Sequence, residues 1–254
     1  MRFPTTPSFR LINKRSLITG AGKGIGLGAS IALAEAGSEI VMVSRSENDL
    51  INIKEYLAAI NPKTSYKVLD VTDTNEVKRF IEYEKPFDIL INNAGSNIPS
   101  SLEESSEKDF EYILSLNVKS LINVTKHVVK KMSQSKIRGS IINVSSQMGL
   151  VGASRRTAYC TTKFAVEGFT KSLAIELAPK GIRVNSICPT FIRTEMTKKF
   201  FMDKNFENEV LKRIPLNRIG KIEDLMGSFV FLASEASSLV TGASLVVDGG
   251  WTAQ

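Results

Sequence analysis

The stretch that decides the fold is 16-SLITGAGKGIG-26, in which a short apolar run ends in glycines that lead straight into a helical pattern. Glycines at 20, 24 and 26 permit a tight turn and let the backbone approach a pyrophosphate, which the N-terminus of the following helix stabilises. Three residues separate Gly20 from Gly24, a departure from the G-x-G-x-x-G spacing, so the loop carries weight only through its place after a first strand. Lys23 and Ile25 complete the cradle.

Outward from this loop, short β-branched runs alternate with helical patterns along the whole chain. Strands are predicted at SLIT (16–19), EIVMVS (39–44), YKVLDV (66–71), DILIN (88–92), SIINVS (140–145), IRVNSI (182–187) and SLVVD (244–248). Most are nearly continuous apolar runs, as expected for strands covered on both faces of a parallel sheet. Helices are predicted at 25–36, capped by Gly37, then at 47–59, 74–84, 106–133 and 157–178. Asp73 and Glu76 have the spacing of a capping box for the third of these. Strand–helix–strand repetition with right-handed crossovers gives one α/β domain over 13–254, a doubly wound parallel sheet of the Rossmann type flanked by helices. Residues 1–12 are expected to be an extension. Ligands of such sheets sit beyond the carboxyl ends of the strands, so the chemistry should lie in the strand-to-helix loops.

The second strand ends in VSRS (43–46), with no acidic residue to hold a ribose 2′-hydroxyl. Ser44 and Arg45 stand there instead, and the planar fork of arginine suits a 2′-phosphate. Lys23 adds a second positive charge. The expected cofactor is therefore NADP(H) rather than NAD.

In the middle of the chain come NNAG (92–95), Asn117, NVSS (143–146) and YCTTK (159–163). Tyr159 and Lys163 are four apart and share one helix face. Ser146, thirteen residues before Tyr159, follows a buried strand and can reach the same cleft. Singly, each residue could be ordinary packing. An unperturbed phenol titrates near ~10, so a tyrosine acting as a general acid/base at neutral pH needs a positive neighbour.

In this order and at these spacings the motifs resemble the short-chain dehydrogenase/reductase family over residues 13–251. The resemblance implies that Tyr159 exchanges a proton with the substrate oxygen and that Lys163 supplies positive charge and holds the nicotinamide ribose. It implies that Ser146 hydrogen-bonds the carbonyl oxygen and that Asn117 orders a water in a proton relay. It also places Asp70 and Val71 at the adenine, Asn92, Ala94 and Gly95 along the adenosine, and Pro189, Ile192 and Thr194 at the nicotinamide. The chain departs from the family at Pro189-Thr190, where Pro-Gly is usual; threonine is stiffer and adds a hydroxyl.

The family keeps a mobile lid where residues 190–215 lie. Met196, Phe200, Phe201 and Met202 either line an apolar pocket there or pack within the helix. Arg155, Arg156 and Arg193 are candidates for holding an anionic substrate, such as a hydroxy acid, keto acid or sugar acid. The C-terminal segment resembles those of 3-oxoacyl-carrier-protein reductases and gluconate 5-dehydrogenase-type enzymes, which implies a homotetramer. Of two carrier-docking positions, Ile137 and Lys180, only one is basic.

The bulk properties are consistent with this. The 254 residues, 43% hydrophobic, can fill one core. The net charge of +7 is scattered without a nucleic-acid motif, and an anionic cofactor and substrate account for part of it. One histidine, His127, and two cysteines, Cys160 and Cys188, lack metal-ligand spacing, so no metal site and no disulfide are expected. No signal peptide or membrane span is apparent, and the expected setting is the cytoplasm.

Overall fold

The computed structural model describes residues 3–254. Seven parallel strands form one sheet in the order β3-β2-β1-β4-β5-β6-β7. They are β1 (Arg15–Thr19), β2 (Glu39–Ser44), β3 (Ser65–Val68), β4 (Ile89–Asn92), β5 (Ser140–Val144), β6 (Arg183–Pro189) and β7 (Ser244–Val247). Every strand is paired in parallel with its neighbours. The order reverses at β1, where the crossovers pass to opposite sides. A crevice opens there at the carboxyl ends of β1 and β4.

The central strands β4 and β5 carry no exposed residue, which explains why their sequences are continuous apolar runs rather than alternating ones. Each face of the sheet has its own core. One is built on Ile18, Ile40, Met42, Ile142 and Phe229, the other on Leu17, Val41, Leu90, Ile141 and Val184. Helices α1 (Gly24–Glu35), α2 (Glu47–Ala58) and α9 (Glu223–Ala233) bury against the first; α3 (Thr74–Tyr83), α5 (Ser120–Gln134) and α6 (Thr157–Leu177) bury against the second.

Several boundaries differ from the sequence expectation for physical reasons. β3 stops at Val68, so Asp70 and Val71 lie in the loop beyond it. Asp73 does cap α3, accepting the N–H groups of Asn75 and Glu76 at 3.0 and 2.9 Å. Glu76 does not close the capping box, because it turns toward Lys67 (3.9 Å) while the N–H of Asp73 donates to the Asp70 carbonyl. The long helix expected at 106–133 is α4 (Glu107–Leu114) and α5 joined by a π-helical turn, Ser115–Lys119. The chain meets the fold at Leu11, which is fully buried and donates its N–H to the Ala36 carbonyl. The expected extension thus packs onto the domain before residue 13, and its first two residues lie outside those described.

Two short helices, α7 (Glu195–Lys198) and α8 (Lys204–Lys212), follow β6 and carry a satellite aromatic cluster. Phe191 sits at its centre, with ring centroids 6.1, 5.7 and 5.8 Å from Phe201, Phe206 and Trp251.

Candidate active site

The crevice beyond the strand ends is a cleft of about 300 Å³ that runs from Arg45 at one end to Phe200 at the other. Its near half is the glycine loop. Gly24 has φ +57, a backbone conformation that side chains rarely adopt. At Gly26 a Cβ would lie 2.3 Å from the Gly20 carbonyl oxygen, so the first turn of α1 closes on the loop only without a side chain. No side chain caps α1, and its first turn holds no acid. The dipole and free N–H groups at this end are therefore available to an anion.

At the far end of this half, Arg45 reaches over the loop after β3, with Nη1 3.7 Å from Asp70 Oδ2 in a loose, largely solvent-exposed pair. Gly20, Lys23, Gly24, Ile25, Ser44, Arg45, Asp70, Val71, Ala94 and Gly95 all line the cleft. Asn92 does not, and here the sequence expectation is corrected. Its amide is buried in the sheet and donates to Thr125 Oγ1 (2.8 Å) and Asn143 Oδ1 (2.9 Å). Asn93 is the one on the cleft, its side chain tying the end of β4 to the carbonyls of Thr19 and Gly20 at 3.1 and 3.0 Å. Gly26 lies just behind the lining, holding the turn shut.

The other half is built on α6 and the loop after β5. Ser146, Tyr159 and Lys163 come together on the cleft wall, with Pro189, Ile192 and Thr194 facing them from beyond β6. Tyr159 and Lys163 lie one turn apart, and Lys163 Nζ is 5.5 Å from the centroid of the Tyr159 ring. Burial pushes the Tyr159 phenol up to about 12, with Ser146 beside it pulling downward. Burial likewise lowers the Lys163 ammonium to about 8, against the upward pull of Cys188 and Glu167. Lys163 Nζ donates to the Val144 carbonyl at 2.9 Å. Ser146 Oγ accepts the N–H of Met148 and donates to Gln147 Oε1.

Asn117 sits in the π-turn behind this wall rather than on it. Both of its amide hydrogens are committed, to the Ser96 carbonyl and to Thr162 Oγ1, while its Oδ1 accepts the N–H of Ser96. It therefore fixes the cleft wall at Ser96 against the residue preceding Lys163. Any water it orders must use the remaining Oδ1 lone pair or its main chain.

The three arginines are not gathered in the cleft. Arg155 occupies an exposed left-handed turn (φ +57) and pairs with Glu104 at 2.9 Å. Arg193 pairs with Glu207 at 2.7 Å and covers Phe201. Arg156 does not line the cleft either: it is buried, lies 5.6 Å from the Phe200 ring, donates Nη1 to the Arg155 carbonyl and leaves its Nε without a partner among the described residues. Of the four apolar residues in the segment after β6, Met196 and Phe200 line the cleft, Phe201 packs in the aromatic cluster and Met202 faces solvent.

Sequence reasoning missed Asn93, Asn97, Gln147 and Phe191, all of which line the cleft. Asn97 Oδ1 and the hydroxyls of Ser145 and Thr190 are buried there with no partner among the described residues. Such orphaned polar atoms on the wall of a cleft fit one that receives a polar ligand. No group of three His, Cys, Asp or Glu side chains among the described residues is placed to hold a metal, and no described helix is long and apolar enough to cross a membrane.

Comparison with known proteins agrees with this geometry. Residues 20–252 match a family model described as enoyl-(acyl carrier protein) reductase. The chain is 38% identical to a 3-oxoacyl-[acyl-carrier-protein] reductase of Thermotoga maritima over 95% of its length and 98% of that protein's. It is 38% identical to gluconate 5-dehydrogenase of Gluconobacter oxydans over 96% of both chains. Its fold superposes on a gluconate 5-dehydrogenase from Burkholderia cenocepacia, crystallised with NADP and tartrate, with a TM-score of 0.93 and 33% identity over 97% of this chain and 98% of that one.

Proposed function

The chain belongs to the short-chain dehydrogenase/reductase family, and from this premise we propose that it interconverts a ketone and a secondary alcohol on a small sugar acid or related hydroxy acid, with NADP(H) as cofactor. The observation that carries the reading is the convergence of Ser146, Tyr159 and Lys163 on one wall of a cleft whose other end presents Arg45 and the α1 N-terminus.

The residues present fit the cofactor. The N-terminus of α1 and Lys23 would hold the pyrophosphate, and Arg45 and Ser44 the 2′-phosphate, with no acid at the end of β2 to oppose it. Asp70 and Val71 would flank the adenine. Pro189, Ile192 and Thr194 would seat the nicotinamide, which, when bound, supplies or takes the hydride.

The chain's own residues do the rest. Ser146 donates a hydrogen bond to the substrate oxygen and stabilises the negative charge that develops on it. Tyr159, a neutral phenol at physiological pH, gives its proton to that oxygen in reduction. The Lys163 ammonium, one turn away, stabilises the tyrosinate left behind and binds the ribose hydroxyls. Asn117 holds the inner wall in place and serves the path by which Tyr159 is reprotonated.

For the substrate, the related gluconate 5-dehydrogenases act on or bind hydroxy acids, as their names and the tartrate complex state. Arg156, behind Phe200 with an unpartnered Nε, is the group that would hold a carboxylate. A carrier-protein reductase is the second reading, favoured by the Thermotoga relative. It has less support, because Ile137 at one docking position packs against the core while only Lys180 is basic. The exposed apolar residues on α6, Phe164 and Ile175, are where partner subunits of a homotetramer would bury surface, in an enzyme of the cytoplasm.

The test is NADPH oxidation, followed at 340 nm, over keto sugar acids, ketoses and 3-oxoacyl thioesters, with NADH in parallel. Turnover of a keto acid with NADPH supports the proposal. Turnover of acyl thioesters alone would replace it with the second reading.

A further inference from the structure

Burial disfavours the charge of an ammonium, and Lys163 is 7% exposed with a backbone carbonyl as its hydrogen-bond partner. The proposed reaction needs that charge most when substrate and cofactor fill the cleft and drive water out. One turn further along α6 lies a buried carboxylate. Glu167 is 4% exposed and takes hydrogen bonds from three neutral groups on the sheet. Ser186 Oγ donates to its Oε2 at 3.0 Å, Ser244 Oγ donates to the same oxygen, and Cys188 Sγ donates to Oε1 at 3.4 Å. A hydroxyl or thiol satisfies a carboxylate oxygen without cancelling its charge.

That charge is left to act on its surroundings, and residues four apart on a helix share one face. The loop after β5 closes directly over this turn. A Cβ at Gly149 would lie 3.0 Å from the Lys163 carbonyl oxygen and 3.1 Å from Glu167 Cγ, so there is no room between loop and helix even for a methyl group. Charges that share a protein interior act on each other far more strongly than charges in water. The other groups nearby do not substitute for Glu167. Burial pushes the Cys188 thiol up to about 12, with Glu167 adding to the effect, so the thiol stays neutral. Tyr159, held up to about 12, is neutral as well. Lys171 reaches Ser244 Oγ at 3.4 Å from an exposed position, and Lys119 in the π-turn is exposed and paired with Glu111. Residues 145–149 and β7 contain no ionisable side chain.

We propose that Glu167 is a positioning residue for the reaction, whose carboxylate, braced by Ser186, Ser244 and Cys188, keeps Lys163 charged beside Tyr159 when the cleft is closed. This rests on the oxidoreductase reading above and adds to it a residue outside the Ser146, Tyr159 and Lys163 group.

Glu167→Gln and Glu167→Met remove the charge at nearly constant size. In either, the alkaline fall of kcat/KM for NADPH-linked ketone reduction should move about one pH unit lower, the shift expected for loss of one nearby opposite charge. With the wild-type fall near 8, the loss at pH 8.5 should exceed the loss at pH 6 by roughly sevenfold. A second readout needs neither substrate nor cofactor. At pH 6, each substitution should lower Tm by about 3–5 °C more in the wild type than in a Lys163→Met background, the coupling of about one pKa unit. An unmoved alkaline fall, or a loss equal at every pH, overturns the proposal and reduces Glu167 to a strut between α6 and the sheet. If one variant fails to fold, the other decides; if neither folds, Glu167 is a structural group and the proposal falls. Equal Tm costs in the two backgrounds overturn this proposal alone, whereas absence of NADPH turnover on every ketone overturns the oxidoreductase reading beneath it.

Discussion

Lys163 Nζ lies 5.5 Å from the centroid of the Tyr159 ring, one turn along α6, and its hydrogen bond goes to the Val144 carbonyl rather than to an anion. A buried ammonium without a carboxylate partner is a poor device for holding a fold together, since burial disfavours its charge. In the reaction proposed for this site, its charge would lower the cost of a tyrosinate beside it.

Lys163 should therefore reduce stability while enabling catalysis. Burial lowers its pKa from 10.5 in the unfolded chain to about 8. The folded state then holds the proton more weakly, so the penalty is complete below pH 8 and is relieved as pH rises from 8 toward 10.5. Lys163→Met should abolish turnover yet gain about 1–3 kcal/mol at pH 7, raising Tm by several degrees. The gain should shrink by pH 10. Calorimetry at the two pH values checks both the sign and its pH dependence, and a lower Tm at pH 7 would contradict it.

The roles proposed for the same pair predict the pH response of activity. Tyr159 is held up to about 12, so it stays protonated throughout the neutral range and is ready to act as the acid. Lys163 loses its proton near 8 in the free enzyme. The value of kcat/KM for ketone reduction should accordingly be flat from pH 6 to 7.5 and fall as pH passes through about 8. A pH–rate profile that rises through that region would be inconsistent with a charged Lys163.

Arg45 is free enough to bind an anion, because its pair with Asp70 is long and exposed. Arg45→Ala should raise KM for NADPH by roughly 10–100-fold, the loss expected for one charge-assisted contact to a phosphate, with little effect on NADH. Steady-state kinetics with both cofactors measures this ratio directly.

Arg156 should distinguish an acidic substrate from a neutral one. If it holds a carboxylate, Arg156→Ala raises KM for a keto sugar acid about tenfold or more and leaves that of a neutral ketose within about twofold. Equal effects on both would assign Arg156 to packing behind Phe200, where its stacking is already visible.

Much of this molecule could be read from the chain because its motifs are fixed by local backbone demands. The glycine loop, the seven strands and the Tyr159–Lys163 spacing follow from turn chemistry, from continuous apolar runs and from the helical period of 3.6. The residues that sequence reading misplaced depend on features with no local signature. Asn92 and Asn93 are adjacent and chemically identical, and only the pleat of β4 decides that the second faces the cleft. The π-turn at 115–119 interrupts a pattern whose hydrophobic period continues through it, so nothing in the sequence marks the break. The loops of Arg155 and Arg193 point to the cleft in sequence, but their partners are Glu104 and Glu207, 51 and 14 residues away, and no local pattern marks either pairing. Gln147 belongs to no motif, and only the hydrogen-bond geometry at Ser146 singles it out.

The proton that Tyr159 is proposed to give in NADPH-linked carbonyl reduction makes Tyr159→Phe the decisive variant. The substitution removes one hydroxyl and leaves the ring. NADPH binding, read by fluorescence, should be unchanged, while NADPH oxidation on the preferred ketone should fall by roughly 10²–10⁴, the range for loss of a general acid. Retention of wild-type turnover in the variant, with NADPH still bound, would remove Tyr159 from the proton transfer.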